Sequence, residues 1–106
     1  MGAMRLAGKV AVVTGGGSGF GAGIVRKFVA EGAKVIVADR NGEAAQAVAA
    51  ELGPTARAVT ADVTRADDVR AMLDAAEQHF GGLDILVNNA GMGHLPQPME
   101  EVDEAL

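Results

Sequence analysis

The sequence predicts a doubly wound α/β domain, a parallel sheet with helices on both faces. Three observations carry this. Short apolar runs of strand length alternate with longer segments of helical periodicity. The leading runs are rich in valine and lack polar alternation, as strands buried on both faces do. Glycines cluster where a strand gives way to a helix. Strand–helix–strand repeated three times requires parallel pairing through helical crossovers. Crossovers are right-handed, so helices cover both faces once the strand order reverses.

Each element has its own signal. Lys9–Thr14 (KVAVVT) is the first buried strand. Ile24, Val25, Phe28 and Val29 then recur at helical spacing, and Gly32 ends that helix. Lys34–Ala38 (KVIVA) is the second strand, stopped by Asp39-Arg40-Asn41-Gly42. Residues 43–52 (EAAQAVAAEL) are strong helix formers, halted by Gly53-Pro54. Ala56–Ala61 (ARAVTA) is a third, weaker strand. Thr64-Arg65-Ala66-Asp67 has the form of a capping box. Behind it Val69, Met72, Leu73, Ala76 and Phe80 make one apolar helix face, closed by Gly81-Gly82. Asp84–Val87 (DILV) is the fourth strand, and Glu100–Leu106 reads as the start of another helix.

The totals bound the function classes. At 106 residues the chain is long enough for one domain and too short for two. A net charge of −5 disfavours nucleic acid, whose phosphates call for a basic stripe. With no cysteine there is neither a disulfide framework nor a thiolate metal site. No apolar run approaches the roughly 20 residues needed to cross a bilayer. A secretory leader pattern is lacking as well. A soluble cytoplasmic protein with no membrane partner is the expectation.

The stretch from Val12 to Gly23, VVTGGGSGFGAG, is half glycine. It lies between a buried strand and an amphipathic helix, which is no place for a linker. It is the place where a dinucleotide pyrophosphate sits on the free N–H groups and positive end of a helix. Two registers fit. Gly17–Ala22 matches G-x-G-x-x-G/A, and Thr14–Gly21 matches the longer T-G-x-x-x-G-x-G. The longer one is favoured because it starts at the last residue of the strand. In it Gly15 makes the turn, Gly19 admits phosphate, and Gly21 lets helix and strand pack closely. Ser18 adds a hydroxyl, while Gly16 and Gly17 are merely permissive. Asp39 ends the second strand, where an acidic residue meets the adenosine ribose. Its carboxylate would accept from the ribose hydroxyls and repel a 2′-phosphate, so NAD is preferred over NADP. The alternative for Asp39 is a turn-forming role before Asn41-Gly42. Arg40 could serve a 2′-phosphate or lie over adenine.

TGGGSGFG, then Asp39, then Asp62-Val63, then Asn88-Asn89-Ala90-Gly91, in this order and spacing, resembles the short-chain dehydrogenase/reductase family. Its members include 3-oxoacyl-ACP reductases and sugar or alcohol dehydrogenases. The resemblance runs from about Leu6 onward. It implies a Rossmann-type domain and a role for each matching position. Gly15, Ser18, Gly19 and Phe20 would line the cofactor diphosphate and reach toward the nicotinamide, although the family usually has Ile or Leu at Phe20. Asp39 and Arg40 would hold the adenosine ribose. Asp62 by its carboxylate and Val63 by its backbone would meet the adenine, with a helix cap as the alternative for Asp62. Asn89, Ala90 and Gly91 would line the cofactor, and Asn88 would brace the sheet. His79 reads as a helix C-terminal imidazole. His94 sits in the loop after the NNAG segment, and the acidic residues 100–104 read as a solvated helix start.

The family's catalytic Tyr, Lys, Ser and relay Asn all lie beyond the NNAG segment, and this sequence contains no Tyr. The resemblance therefore implies residues 1–106 as the cofactor-binding half of an NAD-dependent oxidoreductase acting on a carbonyl or alcohol substrate. In this topology the sheet is truncated to about four strands in the order 3-2-1-4. One face is then covered by the 64–80 helix alone, and the Asp84–Val87 strand is an unpaired edge. Such a piece is expected to be inactive by itself and ordered by self-association, as a homo-oligomer, or by a partner. The alternative is a stand-alone, non-catalytic nucleotide-binding or interaction module.

Overall fold

The structure, a computed structural model, describes residues 5–89. The elements follow in the expected alternation: β1 (Val10–Thr14), α1 (Gly19–Ala30), β2 (Lys34–Asp39), α2 (Gly42–Leu52), β3 (Ala56–Thr60), α3 (Ala66–Phe80) and β4 (Ile85–Asn88). A single 3₁₀ turn, Gly53–Thr55, joins α2 to β3. All strand pairs are parallel, and the order is β3-β2-β1-β4. Thr14 pairs with Ala38 on one side and Asn88 on the other, so the C-terminal ends of three strands lie in line.

The period-2 alternation of the strands sorts their side chains between two cores. Ala11, Val13, Val35, Val37, Ile85 and Val87 face α1 and α2, where they meet Ala22, Val25, Phe28, Ala45 and Val48. Val10, Val12, Ile36 and Ala38 face α3, where they meet Met72 and Ala76. Val12, Val13, Val35, Ile36 and Val37 are wholly buried. Burying each such side chain stabilises the fold by roughly 1.5–3 kcal/mol relative to exposure. Among the described residues α3 alone covers its face, and Leu86 of β4 stays 39% exposed. The same alternation that buries Ile85 and Val87 under the helices turns Leu86 to that thinner side.

Helices end as expected at Gly32, Gly53 and Gly81, and one expected start, at Thr64, is not capped as expected. Asn41 caps α2, its side chain accepting from the Ala44 N–H at 3.1 Å. The α1 helix ends where Ala33 N–H bonds back to the Phe28 carbonyl, just past Gly32. The α3 helix ends at Gly81, which is left-handed and donates to the Glu77 carbonyl. The capping box expected at Thr64 does not form. The N-cap of α3 is Arg65, which makes no side-chain cap. The Thr64 hydroxyl turns backward instead and donates to Asp62 Oδ1 at 2.6 Å. A hydrogen bond donated to a charged carboxylate is a strong one, and the side-chain orientation it fixes leaves the helix amides without a hydroxyl cap.

Candidate dinucleotide site

The site is the edge where β1, β2 and β4 end together. Thr14 closes β1, and it is the one buried polar residue among the described ones. Its Oγ1 accepts from the Asn89 N–H at 2.8 Å and lies 3.1 Å from Asn88 Oδ1, to which it donates. Asn89 Nδ2 in turn donates to the Gly15 carbonyl at 3.4 Å. The hydroxyl thus bolts β1 to the end of β4, the bracing expected of Asn88, and brings Asn89 to the glycine turn.

The turn itself is set by two left-handed residues and three close approaches. Gly15 (φ +65°) and Gly19 (φ +58°) adopt a conformation that a Cβ disfavours. A Cβ on Gly21 would overlap the Gly15 carbonyl oxygen and come within 2.9 Å of Asn89 Nδ2. This is the close helix–strand packing expected of that position. Gly16 and Gly17, read from the sequence as permissive, are crowded. A Cβ on Gly17 would meet Ala44 Cβ and Ala45 N at 2.8 Å, and one on Gly16 would meet the Val13 carbonyl and Val37 Cγ1 at 3.0 Å. The loop is pressed against β2 and the first turn of α2: Gly17 is crowded by the distant backbone of α2, and Gly16 by the nearby Val13 carbonyl and the Val37 side chain. Around Gly19 the Cβ direction is open, leaving its conformation as the reason for glycine.

Ser18 is the N-cap of α1, is exposed, and makes no side-chain cap; no acidic residue occupies the first turn. The positive end of the helix therefore carries no acidic side chain of its own and opens to solvent at Ser18, as an anion site requires. Phe20 is 83% exposed. It borders an open apolar groove of about 590 Å³ along α1 with Gly23, Ile24, Lys27 and Phe28. Its side chain lies on the outer face of the helix rather than folded into the turn.

Of the roles weighed for Asp39, the structure shows the turn-forming one. Its Oδ1 accepts from the Asn41 N–H and its Oδ2 from the Gly17 N–H, each at 2.9 Å. The turn-forming function is thus present, and the carboxylate stands beside the glycine turn. Across the strand ends, Asp62 Oδ1 accepts from both the N–H and the hydroxyl of Thr64. Those bonds, chiefly the hydroxyl, hold the Asp62 carboxyl below its ordinary range, with the charges of Arg40 and Arg65 assisting. The Asp62 N–H donates to Asp68 Oδ2, so the link to α3 runs through Asp68. Arg40 is exposed and Val63 half-buried. His79 lies in the last turn of α3, as read from the sequence. Ala90, Gly91, His94 and the acidic residues 100–104 lie outside the described residues.

Sequence reasoning missed the Thr14 hydroxyl as a structural bolt. The signal was there: a polar residue at the buried end of an apolar strand must find partners.

A parallel sheet in this order, with a glycine turn feeding an open helix N-terminus and an acidic residue closing the second strand, defines a Rossmann-type dinucleotide-binding class of domain. The short chain dehydrogenase family model matches residues 9–106. The chain is 50% identical over 97 residues to L-fucose dehydrogenase of Bos taurus, covering 92% of this chain and 36% of that protein. It is 54% identical over 88 residues to a 3-alpha-(or 20-beta)-hydroxysteroid dehydrogenase of Mycobacterium tuberculosis, covering 83% and 34%. Its fold is similar to the crystal structure of 3-ketoacyl-(acyl-carrier-protein) reductase from Brucella melitensis complexed with NADH. There the TM-score is 0.82 and the identity 53%, over 88% of this chain and 38% of that one. The chain belongs to the short-chain dehydrogenase/reductase family. It spans about a third of the length of these relatives.

Proposed function

We propose that the chain is the cofactor-holding part of an NAD-dependent short-chain oxidoreductase. The whole protein would move a hydride between nicotinamide and the carbonyl or alcohol carbon of a small molecule. The observation that carries this is the Asp39 carboxylate, 2.9 Å from the Gly17 N–H at the mouth of the glycine turn. A carboxylate has roughly four lone-pair sites. Two take backbone N–H groups here, and two remain for the adjacent hydroxyls of an adenosine ribose. A 2′-phosphate in that position would meet a like charge.

The residues fit the cofactor. The open N-terminus of α1, with Ser18, Gly19, Phe20 and Gly21, would take the diphosphate. Asp39 and Arg40 would take the ribose. Asp62 by its carboxylate and Val63 by its backbone would meet adenine, and Asn89, Ala90 and Gly91 would line the cofactor. The bound nicotinamide supplies the hydride chemistry, and these residues orient it. The NADH complex of the Brucella melitensis relative supports the cofactor class. A cytoplasmic homo-oligomer belongs to the same reading, with the exposed Leu86 on β4 facing what covers it. With no Tyr in the sequence, residues 1–106 alone should not turn over NADH with any carbonyl.

Binding of NADH and NADPH, followed by the quenching of nicotinamide fluorescence, tests the proposal. Hydrogen bonds to a charged group contribute roughly 1.5–3 kcal/mol, so the preference for NADH should be about tenfold or more. Asp39→Ala should narrow it, and an unchanged ratio would overturn the assignment of Asp39.

A further inference from the structure

We propose that Asp39 is also a positioning residue for the glycine turn, acting through Gly17, so that the ribose subsite and the diphosphate subsite form one rigid unit. The inference rests on the reading of Asp39 as the ribose carboxylate and adds a function that the ribose contact does not require.

Four observations join the two subsites. The Gly16 N–H bonds to the Ala38 carbonyl at 3.0 Å, and the Gly17 N–H bonds to Asp39 Oδ2 at 2.9 Å. Gly17 is seated on Ala44 and Ala45 in the first turn of α2, with no room for a methyl group. Asp39 Oδ1 holds the Asn41 N–H, and Asn41 caps that same turn. One carboxylate therefore ties three things together: the loop after β1, the loop after β2, and the start of α2. Gly17 is glycine, the residue with the most backbone freedom to lose. Its only fixed hydrogen bond among the described residues is the one to Asp39. Without that bond the amide has lost its anchor midway between the left-handed Gly15 and Gly19.

A cost follows for changing cofactor preference. Removing the Asp39 carboxylate lifts the repulsion toward a 2′-phosphate. The same change loosens the turn that holds the diphosphate, which both cofactors share. Asp39 substitutions should therefore weaken even a dinucleotide that never touches the carboxylate, and the gain toward NADPH should be smaller than the lifted repulsion alone would give.

The test uses the full chain without cofactor and three ligands: NADH, NADPH, and an NADH analogue whose adenosine ribose lacks both hydroxyls. In Asp39→Ala, amide hydrogen exchange at Gly17 should speed up at least tenfold while the β1 and β2 amides keep their protection. The dideoxy analogue should bind Asp39→Ala at least threefold more weakly than it binds the unaltered chain. Asp39→Asn has a single acceptor oxygen for two N–H groups. It should fall between the two on both measures, and it takes over as the test variant if Asp39→Ala does not fold. Unchanged exchange at Gly17, or equal binding of the dideoxy analogue, would overturn the positioning role. The ribose reading fails separately, if NADH and its dideoxy analogue bind the unaltered chain equally well.

Discussion

At the β1–α1 turn, glycines pack so closely on neighbouring backbone that a side chain has no room, while at the β3–α3 turn side chains shape the loop by hydrogen bonds. In the first, Gly21 rests on the Gly15 carbonyl and Gly17 on the backbone of α2. In the second, Asp62 gathers the N–H and hydroxyl of Thr64, and Asp68 reaches back to the Asp62 amide. Both turns stand at the same edge of the sheet. The difference teaches where tolerance lies. Packed interiors concede little to an added methylene, whereas a surface hydrogen bond to a carboxylate can be replaced by water.

The largest effect should come from Gly21→Ala. Its methyl would overlap the Gly15 carbonyl, so α1 must move off β1 or the turn must deform. Overpacking of this kind costs typically 1–3 kcal/mol, occasionally more, and here the strain falls on the diphosphate site. The expected result is a fall in the melting temperature together with loss of NADH binding. Gly23, two residues on in the same helix, has nothing within 4 Å of its Cβ direction. Gly23→Ala should stabilise by about 0.5–1 kcal/mol, the ordinary gain for relieving a glycine inside a helix. Equal thermal shifts in the two variants would break the contrast between packed and open positions.

A smaller loss is expected from Thr14→Val, which keeps the shape and removes the hydroxyl. The Asn89 N–H then loses its acceptor at a part-buried site. An unsatisfied group of this kind costs about 1–3 kcal/mol. Denaturant titration should show that loss, and hydrogen exchange should show it concentrated at Asn89. A loss spread evenly over the sheet would mean that the hydroxyl is not the bolt between β1 and β4.

Much of this was legible in the sequence because it depends on local period. Valine runs mark strands, helical spacing marks helices, and parallel pairing follows from the helical crossovers between strands. Gly21 was legible too, since its motif spans a single turn. What depended on distant partners was not. Gly17 looks permissive until α2, more than twenty residues away, is seen pressed against it. Thr64 matched a capping box, but the pattern does not reveal that its hydroxyl turns back to donate to Asp62. Asp39 was weighed as either a turn former or a ribose ligand; the geometry shows the first, and the pattern does not reveal that its second oxygen holds the Gly17 amide of a different loop.

The smallest effect belongs to the β3–α3 turn, and it depends on pH. The carboxyl of Asp62 titrates below its ordinary value of 3.8, first because the Thr64 hydroxyl donates to it and next because the Thr64 amide does. A carboxyl whose folded pKa is depressed contributes stability above its unfolded pKa and loses it as pH falls through the folded value. The difference in melting temperature between the unaltered chain and Asp62→Asn should therefore be constant through neutral pH and change only on the acid side of 3.8. Solvent screens the carboxylate, so the difference should be slight even at its plateau. Gly21→Ala, in contrast, should lose the same stability at every pH, because a steric clash has no proton to gain. A melting-temperature gap for Asp62→Asn as large as that for Gly21→Ala would mean that the turn shaped by side chains is as intolerant as the one packed by glycines.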